Sequence, residues 1–204
     1  MNEEQAREAT RAIVGDAALE RIERFLHRVR EEAGRQNLVS RPTLDSLWHR
    51  HALDSAQLIP LAPATGLWVD VGTGAGFPGI IVALATEHPM ILVEPRRMRA
   101  DFLRSVLEAE QITDRVSVHQ SKVERLTGIT PRIISARAVA ALFDLLGGTA
   151  NIADRDTVYL LPKGQSATTE VDDARRRFDG LFHVEQSLTD PASGIVVTTG
   201  VKRR

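Results

Sequence analysis

The stretch Leu67-Trp68-Val69-Asp70-Val71-Gly72-Thr73-Gly74-Ala75-Gly76-Phe77-Pro78-Gly79 leaves the chain few ways to fold. Its β-branched and aromatic residues before Gly72 suit a buried central strand of a parallel sheet. The glycines that follow permit a sharp turn with backbone N–H groups open to a ligand. Ile80 to Ala85 then continues as a buried helix whose N-terminus carries partial positive charge toward the same spot. A strand, a ligand-binding turn and a helix are expected in that order, with the rest of the chain arranged around them. A bare strand-turn-helix is the competing reading, but three alternate glycines with an acid downstream are hard to explain by packing alone.

The glycine spacing narrows the ligand. A dinucleotide fingerprint counted from Gly72 requires glycine at the position held by Phe77, and a phosphate-cradling P-loop requires a lysine that the turn lacks. What remains, Asp70-x-Gly72-x-Gly74-x-Gly76, resembles the first motif of class I methyltransferases, which bind S-adenosylmethionine. A second apolar strand, Met90-Ile91-Leu92-Val93, ends in Glu94 roughly twenty residues after the turn, where an acid can accept from both ribose hydroxyls.

A chain of 204 residues suits one domain with a sizeable core. The expected division is a helical extension over residues 1–60 and one compact sheet domain over 61–204. The absence of cysteine excludes disulfides, thiolate metal sites and cysteine nucleophiles, and no metal site is expected. No N-terminal signal pattern is visible, and the apolar run from Gly79 to Ala85 is too short to span a bilayer, so a cytoplasmic protein with no membrane partner is expected. The net charge of -1 advertises no global field for nucleic acid. Arginine is nevertheless clustered at Arg35, Arg41, Arg50, Arg96, Arg97, Arg99 and Arg104, with Lys202-Arg203-Arg204 at the end; a basic patch and a solvated face are both open readings.

In chain order, Leu19, Ile22, Phe25, Leu26 and Val29 recur at helical spacing and predict one amphipathic helix from about Glu3 to Gln36. Thr43 is expected to cap a further helix through Leu44, Leu47, His51, Leu53 and Leu58. Strand and helix patterns then alternate, with a helix over Arg96 to Glu110 that turns Met98, Phe102, Leu103, Val106 and Leu107 inward. Further strands are expected at Val116–Gln120, Ile133–Ala138 and Thr157–Gly164. Leu181–Glu185 and Ile195–Thr199 are joined by too few residues for a crossover helix and are expected as an antiparallel hairpin on the sheet edge. The fold class is therefore α/β, a class I methyltransferase sheet of seven strands with an antiparallel last strand.

Six short motifs together resemble one family: Asn37-Leu38-Val39-Ser40, His51-Ala52-Leu53-Asp54-Ser55, the glycine turn from Asp70 to Gly79, Gln120-Ser121-Lys122-Val123-Glu124, Ser135-Ala136-Arg137-Ala138 and Pro162-Lys163-Gly164-Gln165. They are similar to the bacterial small-subunit ribosomal RNA methyltransferase G family, also called glucose-inhibited division protein B. The resemblance implies S-adenosylmethionine-dependent methylation of guanine N7 in the 530 loop of 16S ribosomal RNA. It also implies a monomer acting on that RNA or on the 30S particle. By position, Asp70, Gly72, Gly74, Gly76 and Phe77 would form the cofactor turn, Glu94 would hold the ribose, and Val123 and Glu124 would border the adenine. Arg137 would reach the reactive end of the cofactor, with Arg137, Lys163 and His51 as the catalytic candidates. Asp54 and Lys122 lie in motifs that face the cleft. The chain departs before its last strand, where the family commonly has an arginine and this sequence has Ala192-Ser193-Gly194.

Guanine N7 already carries an in-plane lone pair and loses no proton on methylation, so such an enzyme needs positioning groups rather than a strong base. On the residues alone, His51 also reads as a core or capping histidine and Lys163 as a solvated strand end. Arg137, at the carboxyl end of a buried strand, sits where ligands of such sheets lie. A methyltransferase acting on a small molecule or protein, and a non-catalytic cofactor-binding module on the ribosome, are the alternative functions.

Overall fold

The computed structural model describes residues 1–204 except the side chain of Arg41. Two helices, α1 (Glu3–Val14) and α2 (Asp16–Glu32), are followed by a 3-10 turn at Arg41–Ser46, a π-helical turn at Trp48–Leu53 and the short α3 (Asp54–Ala56). The sheet region runs β1 (Trp68–Val71), α4 (Gly79–Ala85), β2 (Met90–Val93), α5 (Arg97–Ala109), β3 (Val116–His119), β4 (Ile133–Ala136), α6 (Leu142–Thr149), β5 (Val158–Lys163), α7 (Ala167–Arg175), β6 (Phe178–Gln186) and β7 (Gly194–Arg203). The seven strands lie in the order β3-β2-β1-β4-β5-β7-β6. The first five are parallel, while β7 is antiparallel to both β5 and β6. The order reverses between β1 and β4, so a crevice opens at the carboxyl ends of those two strands.

β1, β2 and β4 are buried at every position, as strands covered on both faces must be. Successive side chains point to opposite faces. Trp68, Leu92, Ile133 and Leu160 pack in one core with Ile22, Phe25, Ile80, Ile81, Phe102 and Leu103, which places α2, α4 and α5 on that side. Val69, Val71, Ile91 and Ile134 pack on the other side with Leu142, Leu145, Val171 and Ala174 from α6 and α7. The apolar face of α2 thus lies in the same core as the central strands rather than in a core of its own.

Three local expectations are corrected. The single helix expected over Glu3–Gln36 is two helices, broken at Gly15, whose φ of 79° lies in the left-handed region that glycine tolerates. The helix expected from Thr43 is instead a tight turn with Pro42 in its first positions, followed by the wide π turn. The N–H groups that open the π turn donate to a side chain of α1: Trp48 to Glu3 Oε2 and His49 to Glu3 Oε1, both at 2.9 Å. Met98, expected inward, is 59% exposed on α5.

Asp70 is the polar node beneath the crevice. Its side chain is wholly buried, with Oδ2 accepting from the Gly79 N–H at 2.9 Å and Oδ1 from the Ser135 hydroxyl at 2.6 Å. Ser135 in turn accepts from Trp68 Nε1 at 2.8 Å, so β1, β4 and the start of α4 share one buried chain of hydrogen bonds. Burial pushes the Asp70 carboxyl up to about 6, although the bonds from Ser135 and Gly79 pull the other way. Protonation therefore favours the fold. The Asp70 contribution to stability is largest below the carboxylate's unfolded value near 4 and falls as pH rises toward 6, by about 3 kcal/mol at most. Denaturation of the native protein and of Asp70→Asn at pH 4.5 and pH 7 should show the native protein losing ground to the variant as pH rises. A pH-independent difference between the two would contradict the assignment.

Candidate active site

A cleft of about 510 Å³ opens over the carboxyl ends of β1, β4 and β5. Its floor is the glycine turn. Gly72 and Gly74 both have positive φ, 65° and 60°, and line the cleft. A Cβ at Gly74 would meet only Arg99 and the Gly72 carbonyl, at 3.7 and 3.8 Å, so the backbone there is open to a guest. Gly76 has a different reason to be glycine: a Cβ would come within 2.7 Å of Ile80 and 2.9 Å of Phe25. It lets α2 pack on the turn and is not among the residues that line the cleft. Asp70 likewise lies outside that lining and shapes the turn from below through its bond to the Gly79 N–H.

Glu94 is buried at the end of β2, behind the turn. Its Oε2 accepts from Gly74 N–H at 3.0 Å and its Oε1 from Arg96 N–H at 2.8 Å. Each oxygen keeps a lone pair beyond these bonds, so the carboxylate can fix the turn and still accept from a hydroxyl. Val123 lies in a 3-10 turn after β3 with its side chain in the core, and can border a ligand only through its backbone. Glu124 is exposed and its carboxylate sits beside Gly148 of α6. Neither residue, nor the exposed Lys122, is among those that line the cleft.

The wall above the turn is built from three distant segments. The Phe77 ring stacks on His51 at 4.7 Å and 26°, and the Arg137 guanidinium stands 5.4 Å from the Phe77 ring centre. Arg137 Nη1 donates to the Arg50 carbonyl at 2.7 Å and to Asp54 Oδ2 at 3.0 Å, while Nη2 reaches His51 Nδ1 at 2.7 Å. A guanidinium only donates, so Nδ1 accepts and the ring proton lies on Nε2, which is buried and has no partner among the described residues. Burial, followed by the charges of Arg137 and Arg50, brings the His51 ring down to about 3. The imidazole is neutral at physiological pH. The π turn at Trp48–Leu53 is what brings the Arg50 carbonyl and the His51 ring to one guanidinium.

Lys163 lines the cleft at the end of β5, but its ammonium is engaged. It donates to the Ala140 carbonyl at 2.7 Å and pairs with Glu170 Oε2 at 2.8 Å. Burial alone would raise the Glu170 carboxyl, but bonds from Lys163, Ser166 and the Leu142 N–H outweigh it and hold the group below its ordinary value. This clamp fixes the segment after β4, where Ala138 has a φ of 55° and Val139 leans toward Gly72. Lys163 is thus a support for the loop beside the cofactor turn.

The sequence reading marked Ser193 only as a departure and missed Thr189 and Asp190; all three line the cleft from the β6–β7 connection. Thr189 donates to Asp54 Oδ1 at 3.0 Å. The signal was present: a hairpin antiparallel to β5 must bring its connection to the carboxyl end of β5, where Gly194 pairs with Lys163. The same register sends Lys202, Arg203 and Arg204 away. Eight residues separate Gly194 from Lys202, a distance of about 26 Å along a strand. Those terminal charges therefore do not replace the arginine missing before β7.

The donor set suits S-adenosylmethionine. The turn at Gly72 and Gly74, open at Gly74, and the unpartnered His51 Nε2 lie in the cleft wall with Phe77, while the buried Glu94, bonded to the Gly74 N–H behind the turn, keeps acceptor capacity for a hydroxyl.

The family model described as rRNA small subunit methyltransferase G matches residues 18–191. A ribosomal RNA small subunit methyltransferase G of Sphingopyxis alaskensis is 45% identical over 181 residues, covering 88% of this chain and 77% of the relative. That of Rhizorhabdus wittichii is 41% identical over 207 residues, covering 100% and 95%. Among solved structures, M. jannaschii TYW2 in complex with AdoMet is similar at a TM-score of 0.59 and 10% identity, over 84% of this chain and 80% of that one. The ribosomal protein L11 methylase from Lactobacillus delbrueckii subsp. bulgaricus is similar at 0.57 and 15% identity, over 76% and 79%. At these identities the structural likenesses speak for the class I methyltransferase fold. The sequence match spans the π turn, the glycine turn, Arg137 and Lys163, and by it the chain belongs to the rRNA small subunit methyltransferase G family.

Proposed function

We propose that the protein methylates N7 of a guanine in the 530 loop of 16S ribosomal RNA with S-adenosylmethionine. It would act as a cytoplasmic monomer on the RNA or on the 30S particle. When bound, the cofactor supplies an electrophilic methyl group on a sulfonium. Gly72 and Gly74 would hold its amino-acid and adenosine parts from below, with Glu94 on the ribose hydroxyls.

One observation carries the reading beyond family membership: the cleft positions groups, and the side chains in it that could act as a base are engaged or neutral. His51 is held neutral, Lys163 is bound to Ala140 and Glu170, and Asp54 is bound to Arg137, Gln57 and Thr189. Guanine N7 needs no proton removed, so a site without a free base suits it. Arg137 uses three of its five N–H groups on the protein wall. The remaining Nη2–H and the Nε–H can meet guanine O6, which lies beside N7. Such a contact aligns the nitrogen with the methyl group and excludes water.

Mass-spectrometric mapping of 16S RNA after incubation with protein and labelled cofactor tests the reading, with label expected on a 530-loop guanine. Label found only in protein or small metabolites would overturn it, as would RNA binding without turnover. Gly74→Val should abolish cofactor binding by calorimetry, because its side chain would occupy the open space over the turn. Arg137→Ala should lower single-turnover methylation on the order of a hundredfold, about 3 kcal/mol of lost positioning, with a much smaller loss of cofactor affinity. Arg137→Lys should rescue little, since lysine lacks the planar fork. Between pH 7 and 9 the single-turnover rate should change less than about twofold, as expected when no general base titrates. A steep rise with pH would point to proton abstraction and to a different acceptor atom.

A further inference from the structure

Beside the cleft, and sharing Val39 with it, lies a second hollow of about 490 Å³ at the end of α2. Arg30, Arg35, Gln36 and Asn37 line it. Arg99 connects the two spaces: it lines the cleft, and its Nη2 donates at 2.9 Å to the Asn37 carbonyl in the wall of the hollow. Gln36 anchors the same wall, donating to Glu32 Oε1 at 2.8 Å and to the Met98 carbonyl at 3.2 Å. The segment after α2 is thereby docked on α5 by side-chain bonds.

The charge around these hollows is uncompensated, although the chain as a whole is not basic. Many other arginines are paired in place: Arg21 and Arg24 share Glu110, Arg97 and Arg104 share Asp101, Arg115 pairs with Glu87, and Arg176 with Asp173. Arg28, Arg96, Arg125, Arg132, Arg177 and Arg203 stand without such a partner among the described residues but line neither hollow. Arg35 leans on Glu32 at 3.1 Å while staying 77% exposed. Arg30, Arg50 and Arg99 have no carboxylate partner within salt-bridge distance among the described residues. Asp190, which lines the cleft with Arg50, is held below its ordinary value chiefly by the Ala192 N–H, with the Arg50 charge adding to it. A line of positive charge therefore runs from Arg50 past the cleft to Arg99 and on to Arg30.

We infer that the second hollow holds the RNA segment flanking the target guanine, its phosphates bound by Arg30 and Arg99. This rests on the proposed RNA substrate. A base presented to the cleft stays joined to its backbone, so the strand must leave across the rim, and the rim at Val39 opens into a neighbouring space lined by the unpaired Arg30 and the exposed Arg35. Phosphate contacts of this kind set register and orientation while the cleft reads the base. Arg35 can join them by releasing Glu32, because an exposed ion pair holds weakly.

Arg30→Gln and the double variant Arg30→Gln, Arg35→Gln test the inference with a 16S fragment carrying the 530 loop. RNA affinity and KM should weaken about five- to tenfold. The slope of log affinity against log salt should drop by about 0.7 for each lost contact with single-stranded phosphate. The kcat at saturating RNA and the cofactor affinity should stay within about twofold. Arg30→Lys should restore most of the slope, since the phosphate contact needs charge more than a fork. Arg176→Gln, on the opposite face in α7, provides the control and should match the native protein. If the native protein methylates the fragment and the Arg30 variants keep its KM and salt slope, the hollow has no such role while the proposed function stands. Losses in kcat and cofactor affinity with KM unchanged would likewise overturn the inference, because they mark a structural role. If the native protein neither binds nor methylates the fragment, the proposed function falls and the inference with it.

Discussion

The ion pair between Arg137 and Asp54 lies at the point where three distant parts of the chain meet. Both side chains are only 17% exposed, so their attraction is screened less than at a surface, and each would be costly to leave unpaired. Arg137 arrives on the end of β4 and Asp54 at the start of α3, 83 residues earlier. Asp54 also accepts from Thr189, 135 residues later, on the connection between β6 and β7. Three walls of the cleft are therefore fixed relative to one another by two carboxylate oxygens. The guanidinium held this way is pre-oriented, and its place over Phe77 follows from the stack of His51 on the same ring.

The other side of the cleft has its own support. Ala138 is held at a positive φ that costs a residue with a Cβ about 1 kcal/mol or more, and such a conformation persists only where surrounding contacts over-determine it. Lys163 on the Ala140 carbonyl and Glu170 on the Leu142 N–H supply those contacts. The loop they hold sets Val139 against Gly72, at the edge of the cofactor turn. Lys163, a catalytic candidate by position, also holds the backbone here, and Glu170, seven residues later in the first turn of α7, belongs to the same device.

The sheet was legible because its signals are local and repeat: apolar runs ending in glycine or an acid, and alternation with helical periods. The cleft was legible at Gly72, Gly74, Phe77 and Arg137, which sit where a parallel sheet must place its ligand. Other features depend on contacts between distant residues. The π turn at Trp48–Leu53 has the composition of an ordinary helix, and what widens it is a ring of partners, among them the Glu3 carboxylate on its first N–H groups. The glycine pattern also concealed two roles. Gly74 is open to a ligand and Gly76 is pressed against Ile80 and Phe25, a distinction set by how α2 lies on the turn. Asp70, conspicuous as part of a cofactor motif, spends both oxygens inside the fold.

A net charge of -1 argues against nucleic acid only if charge is averaged over the surface. Most arginines here are cancelled where they stand, several at helical spacing as in Arg104 with Asp101 and Arg176 with Asp173. Such pairs leave little field beyond about 8–10 Å at physiological salt. What a polyanion meets is the residue of that local cancellation, and part of it, at Arg50, Arg99 and Arg30, lies around the two hollows. The same local economy explains the chemistry of the cleft. His51, Asp54 and Arg137 immobilise one another and Lys163 is held by Glu170, which leaves donors of fixed direction rather than a group ready to take a proton. A reaction at a nitrogen that already carries its lone pair gains from such a surface, because alignment is then the chief contribution the protein can make.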